Sequence, residues 1–435
     1  MTREMKNSGV EWIGNIPSEW KIRKIKNVCS IYTGNSIKDN EKNNFTDSTN
    51  AIPYIATKEI DVSSSKINYD NGMYIKRDDE NFKVAPKNST LMCIEGGSAG
   101  KKIAYLNQDV CFVNKLCCFS TKSLDDKFLY YYLKSPSFNS EFELHISGLI
   151  GGVSQGELRE FAIPVPPLPE QTRISDFLDS KVTEIDKIIS ETKASIENYK
   201  EYKQSVITEA VTKGLDKNVP MKDSGIEWIG EIPVDWKVYK LKYLLDTPML
   251  YGANETGIAY DEYLPRYIRI TDITSDNKLK NDGKLSLSEN VAEPYMLKNG
   301  DILFARSGGT VGKTFIYKDT YGKCAFAGYL IRARLKNWII PELIYYYTLT
   351  SSYDSWKNRI FIQSTIQNIG ADKYCNMEIA ISATKKEQKD IVNFLDNKCA
   401  EIDNLISEKE KLITNLEEYK KSLIYEYVTG KKAVE

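Results

Sequence analysis

A chain of 435 residues exceeds one ordinary domain and predicts two or three. With 41% hydrophobic and 27% charged residues it can form folded cores, which excludes wholesale disorder. The formal charge of −1 excludes a globally basic nucleic-acid binder but not a locally basic one. A single histidine, His145, excludes most zinc sites that use histidine ligands.

The cellular setting is predicted from what the sequence lacks. No apolar run approaches the ~18 residues of a membrane span, and the N-terminus has no apolar signal region, so a cytoplasmic protein is expected. None of the eight cysteines forms a C-x-x-C pair, so reduced and mostly buried thiols are expected.

The N-terminal segment opens an internal repeat. Residues 5–28 read MKNSGVEWIGNIPSEWKIRKIKNV and residues 221–244 read MKDSGIEWIGEIPVDWKVYKLKYL, with 14 of 24 positions identical. The repeated tryptophans are interpreted as wedges that hold each domain against a helix, or alternatively as contacts to a partner protein. They are Trp12, Trp20, Trp228 and Trp236.

The segments that follow, residues 29–169 and 245–386, have diverged. They share fragments only: YIATKEI aligns with YIRITDI, and GSAGK at 97–101 aligns with GTVGK at 309–313. We therefore expect one fold in both copies with different surface residues. Two explanations remain open: drift after duplication, or two sites that bind different things.

Residues 170–214 and 387–431 are a second repeated pair, with 23 of 45 positions identical. Their apolar residues recur at spacings of three and four, which predicts two helices with a coiled-coil seam. Each helix of about 40 residues would be about 60 Å long. Polar residues interrupt the seams at equivalent places, and they either fix the register or bury only their stems. They are Thr192, Lys203, Lys409 and Lys420.

The connection after the first helix indicates its direction relative to the second. Residues 213–225 span at most about 45 Å, too short to run back along the whole helix. The sequence therefore predicts an α+β fold with two similar globular domains separated by two long antiparallel helices, related as a pseudo-twofold repeat. The predicted boundaries are 1–169 (first domain), 170–214 (first helix), 215–386 (linker and second domain) and 387–435 (second helix and tail).

The net charge differs between the predicted helical segments and the rest of the chain. The helical segments 170–214 and 387–431 carry net charges of −2 and −3, which leaves +4 for the rest of a chain of charge −1. Mildly positive globular parts suit contact with a polyanion.

Residues 307–314, SGGTVGKT, look like a phosphate loop at first sight. A Walker A loop requires glycine five residues before Gly312, but Ser307 stands there, and the aligned copy lacks the hydroxyl after the lysine. A hairpin turn is the main interpretation, and such a glycine-rich turn can still hold a nucleic-acid phosphate. A nucleotide hydrolase that uses Lys313 is retained as a further hypothesis.

A catalytic site is not predicted. His145 could pair with Cys117 or Ser147, but the second copy has no matching histidine. No D/N-P-P-[YF] tetrapeptide of an amino-methyltransferase occurs. The tyrosine trios at 130–132 and 345–347 are expected to pack in cores rather than to stack on bases.

The combination of motifs resembles a known family. E-W-I-G-x-I-P-x-x-W, a variable domain, and P-P-L-P-E-Q before I-x-x-F-L-D and a long helix, all in duplicate, is similar to the specificity subunit of type I restriction–modification systems. The second copy departs at residues 382–386, where SATKK replaces the proline-rich start.

The resemblance implies a non-catalytic subunit. It implies that each domain reads one half of a bipartite, asymmetric target in double-stranded DNA, and that the helices set the spacing. Two methyltransferase subunits would dock on the repeated regions and motor–endonuclease subunits would join them. The resemblance implies no cofactor in this chain, with S-adenosylmethionine and ATP on the partner subunits.

Candidate DNA-binding residues follow from the types that read base edges and phosphates. The first domain offers Thr57, Lys58, Ser98, Lys101 and Lys102, and the second offers Arg269, Thr271, Arg306, Thr310 and Lys313. Solvated loop residues are the alternative for each. A coiled-coil scaffold with two protein-binding domains is the alternative function.

Overall fold

The computed structural model describes residues 3–148, 151–274, 276–362 and 368–434. The chain forms two compact units, Met1–Lys193 with Lys409–Glu435, and Ala194–Glu408. Each unit combines one α+β domain with parts of two long helices, which confirms the predicted fold class.

The first domain is built on two four-stranded sheets, with strand orders β4-β11-β8-β9 and β6-β5-β10-β7. A β1-β2 hairpin and a β3-β12 pair complete it. The strands are β1 (Met5–Asn7), β2 (Asn15–Pro17), β3 (Lys21–Lys24), β4 (Cys29–Thr33), β5 (Ala51–Ile55), β6 (Tyr74–Lys76), β7 (Val84–Ala85), β8 (Thr90–Cys93), β9 (Ile103–Tyr105), β10 (Val110–Phe112), β11 (Leu116–Thr121) and β12 (Ala162–Val165).

Short helices cover this domain before the first long helix starts. Asp125 caps one of them by accepting hydrogen bonds from the backbone of Lys127 and Phe128. The helices are α1 (Ile25–Val28), α2 (Asp126–Leu133), α3 (Pro136–Leu144), α4 (Gln155–Leu158) and α5 (Leu168–Lys213), with 3₁₀ turns at Asp39–Phe45 and Thr57–Glu59.

The second domain repeats the arrangement. The sheet β16-β23-β20-β21 corresponds strand for strand to β4-β11-β8-β9, and β15-β24 corresponds to β3-β12. Its other sheet has the order β17-β19-β18-β22. The strands are β13 (Met221–Asp223), β14 (Glu231–Pro233), β15 (Lys237–Lys240), β16 (Leu245–Tyr251), β17 (Ile258–Ala259), β18 (Arg266–Ile268), β19 (Leu285–Ser286), β20 (Ile302–Ala305), β21 (Thr314–Ile316), β22 (Cys324–Phe326), β23 (Leu330–Leu335) and β24 (Glu378–Ile381).

The helices that follow α5 in the chain end with the second long helix. They are α6 (Leu241–Leu244), α7 (Glu289–Ala292), α8 (Pro341–Tyr347), α9 (Ser351–Ile362), α10 (Ala371–Cys375) and α11 (Lys385–Val428), with 3₁₀ turns at Ile270–Asp272, Glu293–Tyr295, Gly308–Thr310 and Asp319–Tyr321.

Helix α5 begins at Leu168, so Pro169 lies inside its first turn rather than before it. This position tolerates proline because the first backbone N–H groups of a helix have no partner within it. Helix α11 begins without prolines: the Ser382 hydroxyl accepts from the Thr384 backbone and donates to Glu387 at 2.5 Å. Hydroxyl groups therefore occupy the N-terminus of α11, where the first copy has prolines.

Within each unit the two long helices run antiparallel. In the first unit, Phe177 of α5 packs on Tyr427 of α11 at 4.5 Å between ring centroids, and Asp186 pairs with Lys420 at 2.5 Å. The α11 partner falls in number as the α5 residue rises, as antiparallel packing requires. In the second unit, Ile207 and Val211 of α5 share a hydrophobic core with Leu395 of α11.

The repeated tryptophans, glutamates and glutamines join the strands to the long helices. The Trp20 indole donates to the Glu170 carboxylate at 3.0 Å, and that of Trp236 donates to Glu387 at 3.1 Å. The glutamine after each glutamate links the start of the long helix to the residue that follows the preceding strand and to the residue that precedes an earlier helix, α2 or α8. Gln171 bonds Pro166 and Asp125, and Gln388 bonds Ser382 and Ile340.

The tyrosine trios are part of the same junctions. The second tyrosine of each trio donates to the aspartate of F-L-D, Tyr131 to Asp179 and Tyr346 to Asp396, both at 2.6 Å. The third, Tyr132 or Tyr347, is buried and donates to a strand carbonyl. The prediction that these trios pack in cores is confirmed.

All eight cysteines are free, and seven are buried, which confirms the predicted thiol state. No helix in the described ranges is long and apolar enough to cross a membrane.

Candidate nucleic-acid interface

Lys102 and the 3₁₀ turn at Thr57–Glu59 come together in the first domain. The Lys102 ammonium donates to the Thr57 carbonyl at 2.6 Å. Lys58 lies in the same turn with its side chain 81% exposed and its ammonium 3.6 Å from Glu59. Three of the predicted residues, Thr57, Lys58 and Lys102, are therefore neighbours.

A shallow concave surface lies beside this turn. Its lining includes Lys58, Lys66 and Lys102, together with the acidic residues Glu59 and Asp61. The Asp61 carboxylate is occupied by Ser63 and Ser64, whose hydrogen bonds lower its pKa to about 2. Three lysines against two carboxylates leave the lining with one excess positive charge, which is compatible with an anionic ligand. Sequence reasoning missed Lys66 because nothing in its local pattern separates it from other loop lysines.

Ser98 and Lys101 lie in the turn that joins β8 to β9. The Lys101 backbone N–H donates to the Ser98 carbonyl at 3.1 Å, which helps to close the turn. In the described part of the chain, neither side chain makes a hydrogen bond or ion pair, and Lys101 is exposed. Both side chains are therefore available to a ligand.

Arg269 in the second domain is held by its own turn. Its Nε and Nη2 donate to the Asp272 carboxylate at 3.0 and 2.7 Å, and Nη2 also donates to the Gly283 carbonyl at 2.8 Å. The hydrogen bond to the buried Asp272 raises the pKa of Arg269. These bonds close the turn and occupy most of the guanidinium, whereas Thr271 in the same turn is exposed.

Lys313 reaches the same region from another loop. Its ammonium lies 3.5 Å from the Ile273 carbonyl. Burial lowers the pKa of Lys313; nearby Asp276 acts against this and Lys280 adds to it. Lys313 thus contacts the end of the Arg269 turn, as Lys102 contacts the Thr57 turn, although alignment pairs Lys313 with Lys101.

The loop at 307–314 is a hairpin turn. It joins β20 to β21, which pair antiparallel, and exposed Thr310 lies in its 3₁₀ turn. A phosphate loop must be followed by a helix, whose N-terminal amides hold the phosphate. Because strand β21 follows instead, the hairpin prediction is confirmed and the loop does not have the geometry of a Walker A phosphate loop.

Arg306 enters this loop beside two tyrosines that sequence reasoning missed. Its guanidinium lies 5.0 Å from the ring centroid of Tyr251, and its backbone N–H donates to the Tyr329 carbonyl at 3.0 Å. Tyr329 is 62% exposed. No local motif marks either tyrosine; only the sheet brings them to Arg306.

The tryptophans divide into two kinds. Trp20 and Trp236 are 0% and 1% exposed, which favours the wedge interpretation over a partner contact for these two. Their indoles are enclosed by core residues and bonded to glutamates of the long helices. Trp12 and Trp228 are only partly buried, and Trp12 donates to Glu141 at 3.2 Å.

The possible nucleophile–base pair is not formed. His145 Nδ1 donates to the Glu141 carbonyl at 2.8 Å, and its ring packs on Phe161. Cys117 is buried, and burial raises its pKa strongly, which disfavours a thiolate. The described residues contain no cluster of histidine, cysteine or carboxylate side chains that could hold a metal ion.

Known proteins are similar to this chain in sequence. The family model "Type I restriction modification DNA specificity domain" matches residues 17–198 and 233–417. The chain is 25% identical to the type I restriction enzyme MjaVIII specificity subunit of Methanocaldococcus jannaschii, covering 96% of this chain and 93% of that protein. It is 23% identical to the EcoKI specificity subunit of Escherichia coli K12, covering 92% and 86%.

Solved structures agree on the fold. A chain from a study of complex assembly and conformational transition of the type I R-M system superposes with a TM-score of 0.74 at 16% identity, covering 96% of this chain and 99% of that one. The HsdS subunit from Thermoanaerobacter tengcongensis gives a TM-score of 0.51 at 16% identity, covering 96% and 98%. Because the family model matches most of the chain in two copies that follow the internal repeat, this chain belongs to the family of type I restriction–modification specificity subunits.

Proposed function

We propose that this chain is the non-catalytic DNA-recognition subunit of a type I restriction–modification complex. Each globular domain reads one half of a bipartite, asymmetric sequence in double-stranded DNA. The long helices set the spacing between the halves and dock two methyltransferase subunits. Those subunits carry S-adenosylmethionine, and motor–endonuclease subunits carry ATP.

The observation that carries this proposal is one scaffold with two different surfaces. The sheets β4-β11-β8-β9 and β16-β23-β20-β21 have corresponding strand orders, and each domain is joined to a long helix by an equivalent Trp–Glu hydrogen bond. The turns on these scaffolds differ: Arg269 with Asp272 in one copy corresponds to Ala56 with Glu59 in the other. Two domains with the same sheet topology but different turn residues suit the recognition of two different DNA sequences.

The long helices suit a spacer. Helix α5 has 46 residues and α11 has 44, so they are about 69 and 66 Å long at 1.5 Å per residue. DNA-binding modules that share one rigid connection read half-sites at a fixed separation along the duplex. The partly buried Trp12 and Trp228 remain candidates for the methyltransferase contact.

A random double-stranded DNA library tests this function. The full chain, co-purified with its methyltransferase subunit, is mixed with 40-base-pair duplexes randomised in the centre, and the bound DNA is sequenced. We expect one enriched sequence with two fixed parts and a gap of constant length. Enrichment of no sequence would favour the scaffold with two protein-binding domains.

A domain exchange tests the assignment of the halves. Residues 245–386 are replaced by the corresponding segment of a relative with a different target. One half of the enriched sequence should change while the other half and the gap stay. A change in both halves would contradict two independent readers.

A further inference from the structure

The two domains present one equivalent surface position with different chemistry. It is formed where β16, β20 and β23 of the second domain, or β4, β8 and β11 of the first, meet their loops. The second domain places Tyr251, Arg306 and Tyr329 there, and the first places Thr33, Ile94 and Lys115.

The backbone frame of this position is the same in both domains. The Arg306 N–H donates to the Tyr329 carbonyl at 3.0 Å, and the Ile94 N–H donates to the Lys115 carbonyl at 3.0 Å. Arg306 and Ile94 each follow a central strand and precede a turn with aligned glycines, whereas Tyr329 and Lys115 each directly precede the neighbouring strand. The fold therefore fixes the backbone positions of these residues, and the two domains differ only in the side chains at those positions.

In the second domain the position is an arginine supported by an aromatic ring. The Arg306 guanidinium lies 5.0 Å from the Tyr251 ring centroid, and the Tyr251 hydroxyl accepts from the Ala371 N–H at 3.0 Å, which holds the ring. Tyr329 stands beside it as one of the most exposed tyrosines of the unit. An arginine stacked on a fixed ring loses less conformational entropy when it binds.

Arg306 also keeps its charge unpaired. Among the residues that the structure describes, no carboxylate lies within ion-pair distance of Arg306, and its buried Nε has no partner. Arg269 and Arg334 differ, because each is bonded to a carboxylate, Asp272 or Asp301. A positioned but unpaired guanidinium is suited to an external acceptor.

In the first domain the same position has one cationic side chain, Lys115, and no aromatic side chain beside it. Ile94 is buried in the core, and Lys115 is exposed at the turn before β11. A lysine ammonium is a single point charge, whereas a guanidinium offers two parallel donors. The two domains thus offer different donor geometries from the same place.

Resting on the proposed function, we propose that this position determines base specificity in both domains. Arg306 donates to the major-groove edge of a guanine, O6 and N7, in the half-site of the second domain, and Tyr329 packs on the adjoining nucleotide. Lys115 donates to a base edge in the half-site of the first domain. Bidentate arginine–guanine pairing is the commonest specific contact to DNA and discriminates by about 5- to 150-fold.

The test compares variants of the full chain, each co-purified with the methyltransferase subunit, on the randomised duplex library. The variants are Arg306→Ala, Arg306→Lys, Lys115→Ala and the control Lys318→Ala. Lys318 is exposed beyond the opposite end of β21. Its replacement by alanine therefore removes one positive charge at a site away from Arg306. Arg306→Lys keeps the charge if the alanine variant folds poorly.

Both Arg306 variants should lose preference for guanine at one base pair by about 5- to 150-fold and leave the other half-site unchanged. Lys115→Ala should relax one base pair in the other half-site, and Lys318→Ala should change neither. Unchanged enrichment for both Arg306 variants would overturn the proposal. So would an equal loss of affinity for all sequences with a smaller salt dependence, which marks a phosphate contact. If the wild-type chain itself enriches no sequence, the result contradicts the proposed function and not the base-specificity proposal alone.

Discussion

The Lys203 ammonium lies 2.7 Å from both carboxylate oxygens of Asp403, which joins α5 to α11 in the second unit. The first unit repeats the pair between aligned residues, because Lys420 and Asp186 lie 2.5 Å apart. Each copy of the repeat therefore supplies the lysine of one pair and the aspartate of the other. The polar interruptions that the heptad pattern shows at these lysines are inter-helix ion pairs.

Removing the aspartates should destabilise the two units unequally. The Lys420 side chain is 15% exposed and that of Lys203 is 27% exposed, so an unpaired Lys420 is the harder charge to hydrate. We expect Asp186→Asn to cost about 1–2 kcal/mol and Asp403→Asn under about 1 kcal/mol. Urea unfolding followed by circular dichroism measures both.

A charge exchange is the control for this prediction. The double variant Lys420→Asp with Asp186→Lys should recover part of the loss, because it restores opposite charges at the same place. If Asp403→Asn proves the more damaging of the two single changes, burial does not govern the strength of these pairs.

The glycines that end the long helices give a matched pair of substitutions. Gly214 and Gly430 have φ of +76° and +71°, a conformation that costs other residues about 1–2 kcal/mol. A Cβ on Gly214 would lie 3.4 Å from Trp236, whereas one on Gly430 would lie 2.4 Å from Pro17 and 3.1 Å from Trp20. Gly430→Ala should therefore lower the unfolding temperature more than Gly214→Ala.

Differential scanning calorimetry of the two single variants compares these costs. Gly9 is the control, because it also has positive φ but no atom within 4 Å of the added Cβ. Gly9→Ala and Gly214→Ala should then have similar effects. Equal unfolding temperatures for all three variants would show that Pro17 and Trp20 accommodate the added methyl group without loss of stability.

Arg269 should matter for stability more than for sequence preference. Arg269→Ala leaves the buried Asp272 carboxylate without its main partner, a loss of about 1–3 kcal/mol. Arg269→Lys should recover little, because an ammonium cannot make the two parallel bonds of the guanidinium. Thermal unfolding gives the stability, and library enrichment gives the sequence preference. An altered half-site at unchanged stability would identify Arg269 as a base-reading residue instead.

The architecture could be predicted from the sequence because its signals are local and repeated. The heptad pattern predicts a helix at 170–214, and the structure has Leu168–Lys213; the duplicated motifs predict two domains of one kind. The sheet orders could not be predicted, because most strands have only two to five residues and their pairing depends on distant partners.

The candidate site was predictable by residue type but not by role. Alignment pairs Lys101 with Lys313, yet Lys102 makes the contact to the neighbouring turn in the first domain. The direction of a loop side chain depends on packing that a single sequence does not contain. For the same reason Arg269 and Arg306 look alike in the sequence, although one is bonded to Asp272 and the other lies on Tyr251.

Lengthening both long helices should lengthen the gap in the DNA target without changing what is read. Both helices pass from one compact unit to the other, at 193/194 in α5 and at 408/409 in α11. Seven residues inserted at each point add about 10 Å of helix and nearly preserve the facing of the seam, since seven residues make almost two turns. At about 3.4 Å per base pair, the enriched sequence should gain about three base pairs between its halves.

A four-residue insertion in α5 alone is the contrasting variant. It rotates every later seam residue by about 40° relative to α11 and leaves one helix longer, so the ion pairs and apolar contacts of one unit cannot all re-form. We expect lower stability and weak enrichment of any fixed gap. If the paired seven-residue insertion left the gap unchanged, or altered either half of the target, the long helices would not be the element that sets the spacing.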